Sequence, residues 1–293
     1  MRWWMSGWFF FVSLLPVAVS AQTTSLEELD WERDRPPDME EILSIRERFV
    51  YEVRYGFFRL GEIEVELLPD TTVHGQPLQK MRTVIRSGSG IPFLRNRHVR
   101  YASTFHFDRD AIYSHRFWRD DLHDNEPMRA DIQFDREEME VRFFERGEPR
   151  DTLELVEPAS GGDIIFFYAR MYAGEERPYA LPVFISEDGL GEVRASSSSR
   201  TEIREYDAFD EPVATYRSDG VADIDGPFGF TGEFSSWFLT DDRRIPLEAH
   251  VKVLFGNLKI SLINYEQIGK RKGGGPVSET SPYEEPAVAG SGK

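Results

Sequence analysis

Apolar and polar side chains alternate with a period of two residues along most of the chain. Aromatic and aliphatic residues occupy every second position from Phe49 to Tyr55, and the alternation returns in residues 62–67. Because successive side chains of a strand point to opposite faces of a sheet, this pattern predicts an antiparallel hairpin with one apolar face. Similar patterns predict strands at residues 80–86, 97–107, 111–118, 130–134, 138–144, 153–156, 181–186, 191–195, 201–207, 213–224 and within 234–265.

Short strands follow one another without alternating helices, which predicts a mainly antiparallel all-β fold. Residues 196–199, a run of serines, are expected to form the tip that joins two strands. One segment departs from the pattern. Residues 164–172 are apolar nearly all round and follow Asp163, a capping residue, so they predict one buried helix, although their aromatic and β-branched content also suits a strand. The expected architecture is a large curved sheet or open barrel with one covering helix.

The chain divides into four predicted segments. Residues 1–21 have the positive residue, apolar run and small-residue site of a signal peptide, with cleavage expected after Ala21 and a periplasmic location. Residues 22–46 form a polar leader expected on the surface, with a short helix from Asp38 toward Ile45. Residues 47–268 form a single antiparallel β domain. Residues 269–293, rich in glycine, proline and serine, form a tail expected to be disordered.

The charge of the chain limits its partners. The full sequence has 35 basic and 52 acidic residues, and loss of Arg2 with the signal leaves 34 against 52, or a net charge of −18. Such a charge repels nucleic acid and anionic headgroups. No second apolar run has spanning length, and with no cysteine the chain offers neither disulfides nor thiolate metal ligands. No cofactor is expected, and the small basic cluster 270–272 is too short to indicate nucleic-acid binding.

Residues 240–244, here called the corner, place two carboxylates and two guanidinium groups in succession. Paired aspartates can serve acid–base chemistry, and paired arginines can hold a phosphate or carboxylate. In the simpler interpretation, the aspartates accept hydrogen bonds from turn amides and the arginines form ion pairs with a neighbouring strand. We favour the structural role, because no nucleophile accompanies the corner and His250 lies on the following strand.

Two other stretches have weaker chemical signals. Asp120, Asp121, His123 and Asp124 can in principle bind a divalent cation, but they lack the spacing of known calcium or zinc sites. We therefore expect a solvated acidic loop, with Arg116 and Arg119 as charge partners, and no metal. Residues 88–90, Gly-Ser-Gly, lack the spacing of a nucleophile elbow.

Aromatic residues are more numerous than a thin sheet requires, with 22 Phe and 11 Tyr. If the sheet curls without closing, its concave face is either filled by the helix or open to an apolar ligand such as an acyl chain. The simpler alternative is that the helix and these rings fill the core. The residues predicted to contact a ligand are Phe58, Phe105, Phe107, Phe166, Tyr168 and Trp237.

Three stretches resemble a known family: FVYEVRYGFFRLGEIEVEL, PASGGDIIFFYARM and WFLTDDRRIPLEAHVKVLFGNLKISLINY. Together they are similar, over residues 49–265, to the exported bacterial family of unknown function DUF3108. The resemblance implies a Gram-negative cell-envelope protein and supplies no activity or catalytic residue. The most specific part of the match comprises Trp237, Asp241, Asp242, Arg243, Arg244 and Pro246. A curved sheet similar to the open barrels of periplasmic lipoprotein carriers is expected by fold analogy alone.

These observations favour an exported, non-enzymatic binding or assembly factor that holds a lipid or lipid-linked glycan. The alternative is an envelope polysaccharide hydrolase that uses Asp241, Asp242, Arg243 and Arg244, with Glu248 or Asp219 as a nearby carboxylate. A third possibility is an interaction module whose edge strands pair with an envelope protein.

Overall fold

A computed structural model describes residues 35–73, 75–87, 98–109, 111–122, 126–156, 158–186, 189–224, 231–253 and 256–270. The predicted signal peptide, the leader up to residue 34, residues 88–90 and the tail beyond residue 270 lie outside the described residues. In the part of the chain that is described, no helix has both the length and the apolar character needed to span a bilayer.

Strands dominate the structure. The elements are α1 (Met39–Leu43), β1 (Ile45–Tyr55), β2 (Phe58–Val73), β3 (Gln76–Ser87), β4 (His98–Asp108), β5 (Ala111–Asp121), β6 (Glu126–Asp135), β7 (Glu140–Glu145), β8 (Glu148–Glu154), β9 (Ser160–Gly161), α2 (Ile165–Tyr168), β10 (Tyr179–Phe184), β11 (Leu190–Arg204), β12 (Val213–Asp223), β13 (Gly232–Leu239), β14 (Pro246–Lys252) and β15 (Asn257–Lys270). The predicted all-β, mainly antiparallel fold is confirmed.

All the strands in the described residues belong to one 15-stranded sheet in the order β8-β7-β6-β5-β4-β3-β2-β1-β15-β14-β13-β12-β11-β10-β9. Neighbouring strands are antiparallel, except for β9, which pairs in parallel with β10. β1 lies in the middle because it pairs with both β2 and β15. Phe49, Tyr51 and Val53 point inward from β1 and are buried, as the alternating pattern predicts.

The sheet curls until its two sides meet through side chains. Phe184 of β10 packs against Phe134 and Phe143 of β6 and β7, with ring centroids 6.1 Å apart in both pairs. The hydroxyl of Ser160 also donates to the carbonyl of Ile112 at 2.8 Å. No ladder joins the two edge strands among the described residues. The architecture is therefore an open barrel, whose two sides are joined in the described residues by side-chain contacts and not by backbone pairing.

The helical segment, Gly162–Tyr172, covers the concave face as predicted. It consists of the short helix α2 between two 3₁₀ turns, Gly162–Ile164 and Ala169–Tyr172. Phe166 makes edge contacts with Phe49 at 4.9 Å and with Tyr51 at 6.0 Å. Gly161 is the residue that precedes the first 3₁₀ turn, so the prediction that Asp163 is the N-cap is wrong. Asp163 lies within the first turn and accepts a hydrogen bond from Ser103 at 2.6 Å.

The end of the leader is part of the core. Asp38 and Glu41 form a capping box that begins α1, in agreement with the predicted short helix. Met39, Ile42 and Leu43 are almost completely buried, so the expectation that this part of the leader lies on the surface is wrong. Spacings of three and four residues place these side chains on one face of the helix, which faces the sheet.

The serine run does not form a tip. Strand β11 continues through residues 196–199 and pairs with β12 on both sides of an irregularity between Ser197 and Thr201. Ser197 explains the continuity, because its hydroxyl accepts from the amide of Gly174 at 2.9 Å and donates to the carbonyl of Arg217 at 3.2 Å. A bulge in the strand thus serves as an attachment point for the chain that follows the helical segment.

An antiparallel meander places successive turns at opposite ends of the sheet. The corner lies between β13 and β14, at the end of the barrel where β1 begins. We call this the corner end. The β1–β2 turn and the β10–β11, β12–β13 and β14–β15 connections lie at the opposite end, which we call the tip end.

Candidate functional site

The corner lies in the interior of the protein. Asp241, Arg243 and Arg244 are buried and Asp242 is half-buried. Asp241 Oδ1 accepts from the amide of Ile245 at 3.1 Å, as expected for a turn aspartate. These groups therefore stabilise the chain reversal between β13 and β14.

Arg243 belongs to a buried ion network with Glu47, Arg170 and Tyr265. Glu47, at the start of β1, accepts from Arg243 Nε at 2.7 Å, from Arg170 Nη1 at 2.7 Å and from the Tyr265 hydroxyl at 2.8 Å. Arg170 also donates from Nε to the carbonyl of Arg243 at 2.8 Å. The network joins the first strand, the helical segment, the corner and the last strand.

The charges of the network determine the ionisation of Glu47. Burial alone would raise the pKa of its carboxyl group, but the guanidinium groups of Arg170 and Arg243 outweigh burial and lower this pKa to about 2. Arg243 Nη2 also donates to the carbonyl of Ile42 at 2.8 Å. The corner thus fixes both the sheet and helix α1.

Arg244 has a different set of partners. It adopts a left-handed backbone conformation with φ of 50°. Its guanidinium group donates to the carbonyls of Thr240 at 2.9 Å and Ala173 at 3.2 Å, and lies 4.9 Å from the ring of Tyr216. These contacts hold a conformation that is uncommon for a side chain of this size.

The other two residues of the family motif flank this interior. Pro246 begins β14, and its carbonyl accepts from the Tyr51 hydroxyl at 2.9 Å. Trp237 is buried in a polar cluster, where its indole donates to Glu202 at 2.8 Å. Arg204 lies over the Trp237 ring at 4.1 Å. Trp237 is therefore held by charged side chains, apart from the aromatic residues with which it was grouped.

The remaining predicted ligand contacts fall into two places. Phe105 is fully buried, and Phe107, Phe166 and Tyr168 pack at the rim of the same core cluster. Phe58 is 55% exposed at the tip end. The structure therefore brings the first four together and leaves Phe58 and Trp237 apart.

The acidic stretch at the end of β5 is bound by arginines. Asp120 is buried and accepts from Arg100 Nε at 2.7 Å, and Asp121 lies 3.8 Å from Arg129. Arg116, one of the predicted charge partners, binds Asp131 at 2.8 Å, across the β5–β6 pair. His123 and Asp124 lie outside the described residues.

A cleft of about 200 Å³ opens at the tip end. It lies where β10 and β12 end and β11 begins, and its lining includes Val183, Ile185, Leu190, Asp223 and Ile224. Behind it, Val183 belongs to an apolar cluster that contacts α2. The cleft is thus an open site with a mostly polar accessible surface, at the end of the barrel opposite the corner.

A family model described as "Protein of unknown function (DUF3108)" matches residues 50–263. The chain belongs to the DUF3108 family. No curated protein matches this DUF3108 protein. A crystal structure of a β-barrel-like protein of domain of unknown function DUF1849 from Brucella abortus is similar, with a TM-score of 0.47 and 12% sequence identity. The match covers 76% of the DUF3108 chain and 98% of the other chain.

Glu47 and Arg170 are the important residues of this DUF3108 protein that the sequence interpretation missed. Glu47 lies two and four positions before Phe49 and Tyr51, so the alternating pattern puts its carboxylate on the buried face of β1. Arg170 is the only charged residue within the apolar run 164–172. A charge at a position predicted to be buried was the available signal, because such a group needs a buried partner.

Proposed function

We propose that this protein is a non-enzymatic binding protein of the cell envelope that holds the apolar part of a lipid or lipid-linked glycan. The proposal includes export, with cleavage after Ala21, and a periplasmic location. The observation that carries it is the open cleft at the tip end, whose lining includes the aliphatic residues Val183, Ile185 and Leu190 although most of its accessible surface is polar. The corner end, in contrast, is occupied by α1 and the buried ion network.

The size of the cleft limits what it can hold. Pockets for drug-sized ligands have volumes of roughly 300–1,000 Å³, whereas this cleft has about 200 Å³. It therefore has room for at most the end of one acyl chain, with the rest of the ligand outside. Asp223 and Thr231 at the lining provide polar contacts near the mouth.

The residues that line the cleft pack against the aromatic interior. The apolar cluster behind it contains Leu181, Val183 and Val193, with Ile165 and Tyr168 of α2 packed against them. Among the residues predicted to contact a ligand, Tyr168 is thus the one that packs against this cluster. An acyl chain that enters deeper than the cleft must displace the ring of Tyr168 or the side chain of Ile165.

The contacts of the corner favour a structural role over hydrolysis. Asp241 is fully buried. Glu248 and Asp219, the expected second carboxylates, bind Arg204 at 2.6 Å and Arg217 at 2.8 Å, respectively. A carboxyl group without contact to solvent cannot reach a polysaccharide, so the geometry of the corner does not favour hydrolysis.

Two measurements test the proposal. Mass spectrometry of an organic extract should detect lipid that co-purifies with residues 22–293, and the protein should enhance the fluorescence of the neutral apolar probe N-phenyl-1-naphthylamine. Leu190→Glu places a charge at the cleft and should abolish the enhancement. Ile203→Glu is the matched control, because Ile203 is an exposed apolar residue near the other end of the same strand. Equal loss in both variants, or no lipid and no enhancement in the wild type, would refute the proposal.

A further inference from the structure

The β1–β2 turn presents two adjacent aromatic rings to solvent. Phe57 is 81% exposed and Phe58 is 55% exposed, and their ring centroids are 4.1 Å apart. Tyr55, the last residue of β1, is 38% exposed. A cluster of exposed aromatic residues on one projecting turn is unusual for a surface that meets only water, and it marks a contact site.

We propose that Phe57 and Phe58, here called the aromatic tip, insert into the headgroup region of a lipid bilayer. This inference goes beyond ligand binding in the cleft, since it assigns a lipid surface as the partner of a different part of the molecule.

The tip has a firm base. β1 pairs with both β2 and β15, so the turn extends from the middle of the sheet. Gly56 supports the tight turn with φ of 56°. The neighbouring β14–β15 turn packs closely alongside, because a Cβ atom on Gly256 would lie 2.9 Å from the Tyr55 hydroxyl. The rings are thus presented by a fixed hairpin.

Charges at the base of the tip suit a zwitterionic membrane. Arg59 Nε lies 3.2 Å from Glu52, Arg54 also binds Glu52, and Arg59 also binds Glu62. These two arginines and two glutamates sum to zero, although the whole chain has a net charge of −17. Phenylalanine rings of membrane-surface segments lie at the boundary between headgroups and acyl chains, and long arginine side chains keep their charged groups among the headgroups.

The small area of the tip favours a lipid over a protein partner. Two phenylalanine side chains bury about 300–500 Å², whereas a standard protein interface buries about 800 Å² on each partner. A bilayer interface accepts a convex projection without a complementary pocket. The tip also lies at the same end of the barrel as the cleft, so a bilayer that holds the tip is near the end that carries the cleft.

Co-sedimentation with phosphatidylcholine vesicles tests the inference. The wild-type chain, residues 22–293, should bind, and Phe57→Ser combined with Phe58→Ser should lower the partition coefficient about tenfold or more. Phe57→Ser alone, at the more exposed ring, should give a smaller loss. Ile203→Ser is the control for removal of an equally exposed apolar side chain at the corner end and should bind like the wild type.

The test separates the tip from the cleft. Leu190→Glu should still bind vesicles, and the tip variants should still enhance the fluorescence of N-phenyl-1-naphthylamine. Vesicles that contain phosphatidylglycerol should bind less protein, because the chain is acidic. If the wild type does not bind phosphatidylcholine vesicles, or if the double variant binds them equally, the inference is wrong whatever the outcome for the cleft.

Discussion

The buried ion network allows a quantitative prediction for Glu47→Gln. Glutamine has nearly the same shape as glutamate, but it removes the negative charge that faces Arg170 and Arg243. Its amide nitrogen is a donor and cannot accept from the guanidinium groups or from the Tyr265 hydroxyl. The variant therefore leaves buried positive charge without its partner, while the packing volume is unchanged.

The structure gives the magnitude in two ways. Removal of one partner from a buried ion pair typically costs about 3–5 kcal/mol of unfolding free energy. Independently, the pKa of Glu47 is about 2 in the folded protein against an ordinary value of 4.5. Each pH unit of difference corresponds to about 1.4 kcal/mol, so ionisation of Glu47 contributes about 3 kcal/mol at neutral pH. Both arguments predict a loss of about 3 kcal/mol or more.

Urea denaturation at pH 7 measures this loss, and Glu266→Gln is the matched control. Glu266 is partly exposed and lies 3.4 Å from Arg48, so its replacement should cost less than about 1 kcal/mol. Because the folded-state pKa of Glu47 is lowered, its stabilisation is complete above pH 4.5 and declines as the pH falls toward 2. The wild type should lose this stability over that range and Glu47→Gln should not. A loss below about 1 kcal/mol in Glu47→Gln would refute the reasoning.

Three further predictions concern the corner and the meeting of the two sides of the sheet. Burial raises the pKa of Asp241 to about 7, against the opposing effect of the Ile245 amide, so the folded state retains a proton that the unfolded chain releases near its ordinary value of 3.8. The free energy of unfolding should therefore fall as the pH rises from about 4 to about 7. Asp241→Asn should remove this fall, which urea titrations at pH 5 and pH 8 measure. An equal fall in the wild type and in the variant would contradict the prediction. Phe184→Ala should cost about 3–5 kcal/mol in the same assay, since it separates β10 from β6 and β7. Gly161→Ala should cost about 1–3 kcal/mol, because its Cβ would lie 2.9 Å from Phe117 Cβ, and a neutral result would show that the two sides can move apart.

The strands could be predicted because their side chains follow one local rule. In β1, the residues that alternate in the sequence also alternate in burial. In β11, the same reasoning failed at residues 196–199, since serine gives no apolar alternation and the strand continues through hydrogen bonds of Ser197 to distant residues. The local pattern therefore predicts strands that have one apolar and one polar face. It does not predict that a strand continues where tertiary contacts hold it.

The structural role of the corner was predictable, but its partners were not. Turn chemistry correctly indicated that Asp241 accepts a backbone hydrogen bond. The ion pair of Arg243 is with Glu47, which is 196 positions away in the chain. No local spacing encodes such a pairing, which depends on the adjacency of the first and last strands. The cleft was unpredictable for the same reason, because its walls come from three separate strands and their connections.

Adjacency of β1 and β15 also constrains the order of folding. Glu47 and Tyr265 are 218 positions apart, and the partner strand of β1 on one side is the last strand of the domain. The local hairpins can form one after another, but Glu47 cannot acquire its full set of partners until β15 pairs with β1. Loop closure over such a distance is slow compared with formation of local hairpins. The pairing at the centre of the sheet therefore forms after the hairpins on either side of it.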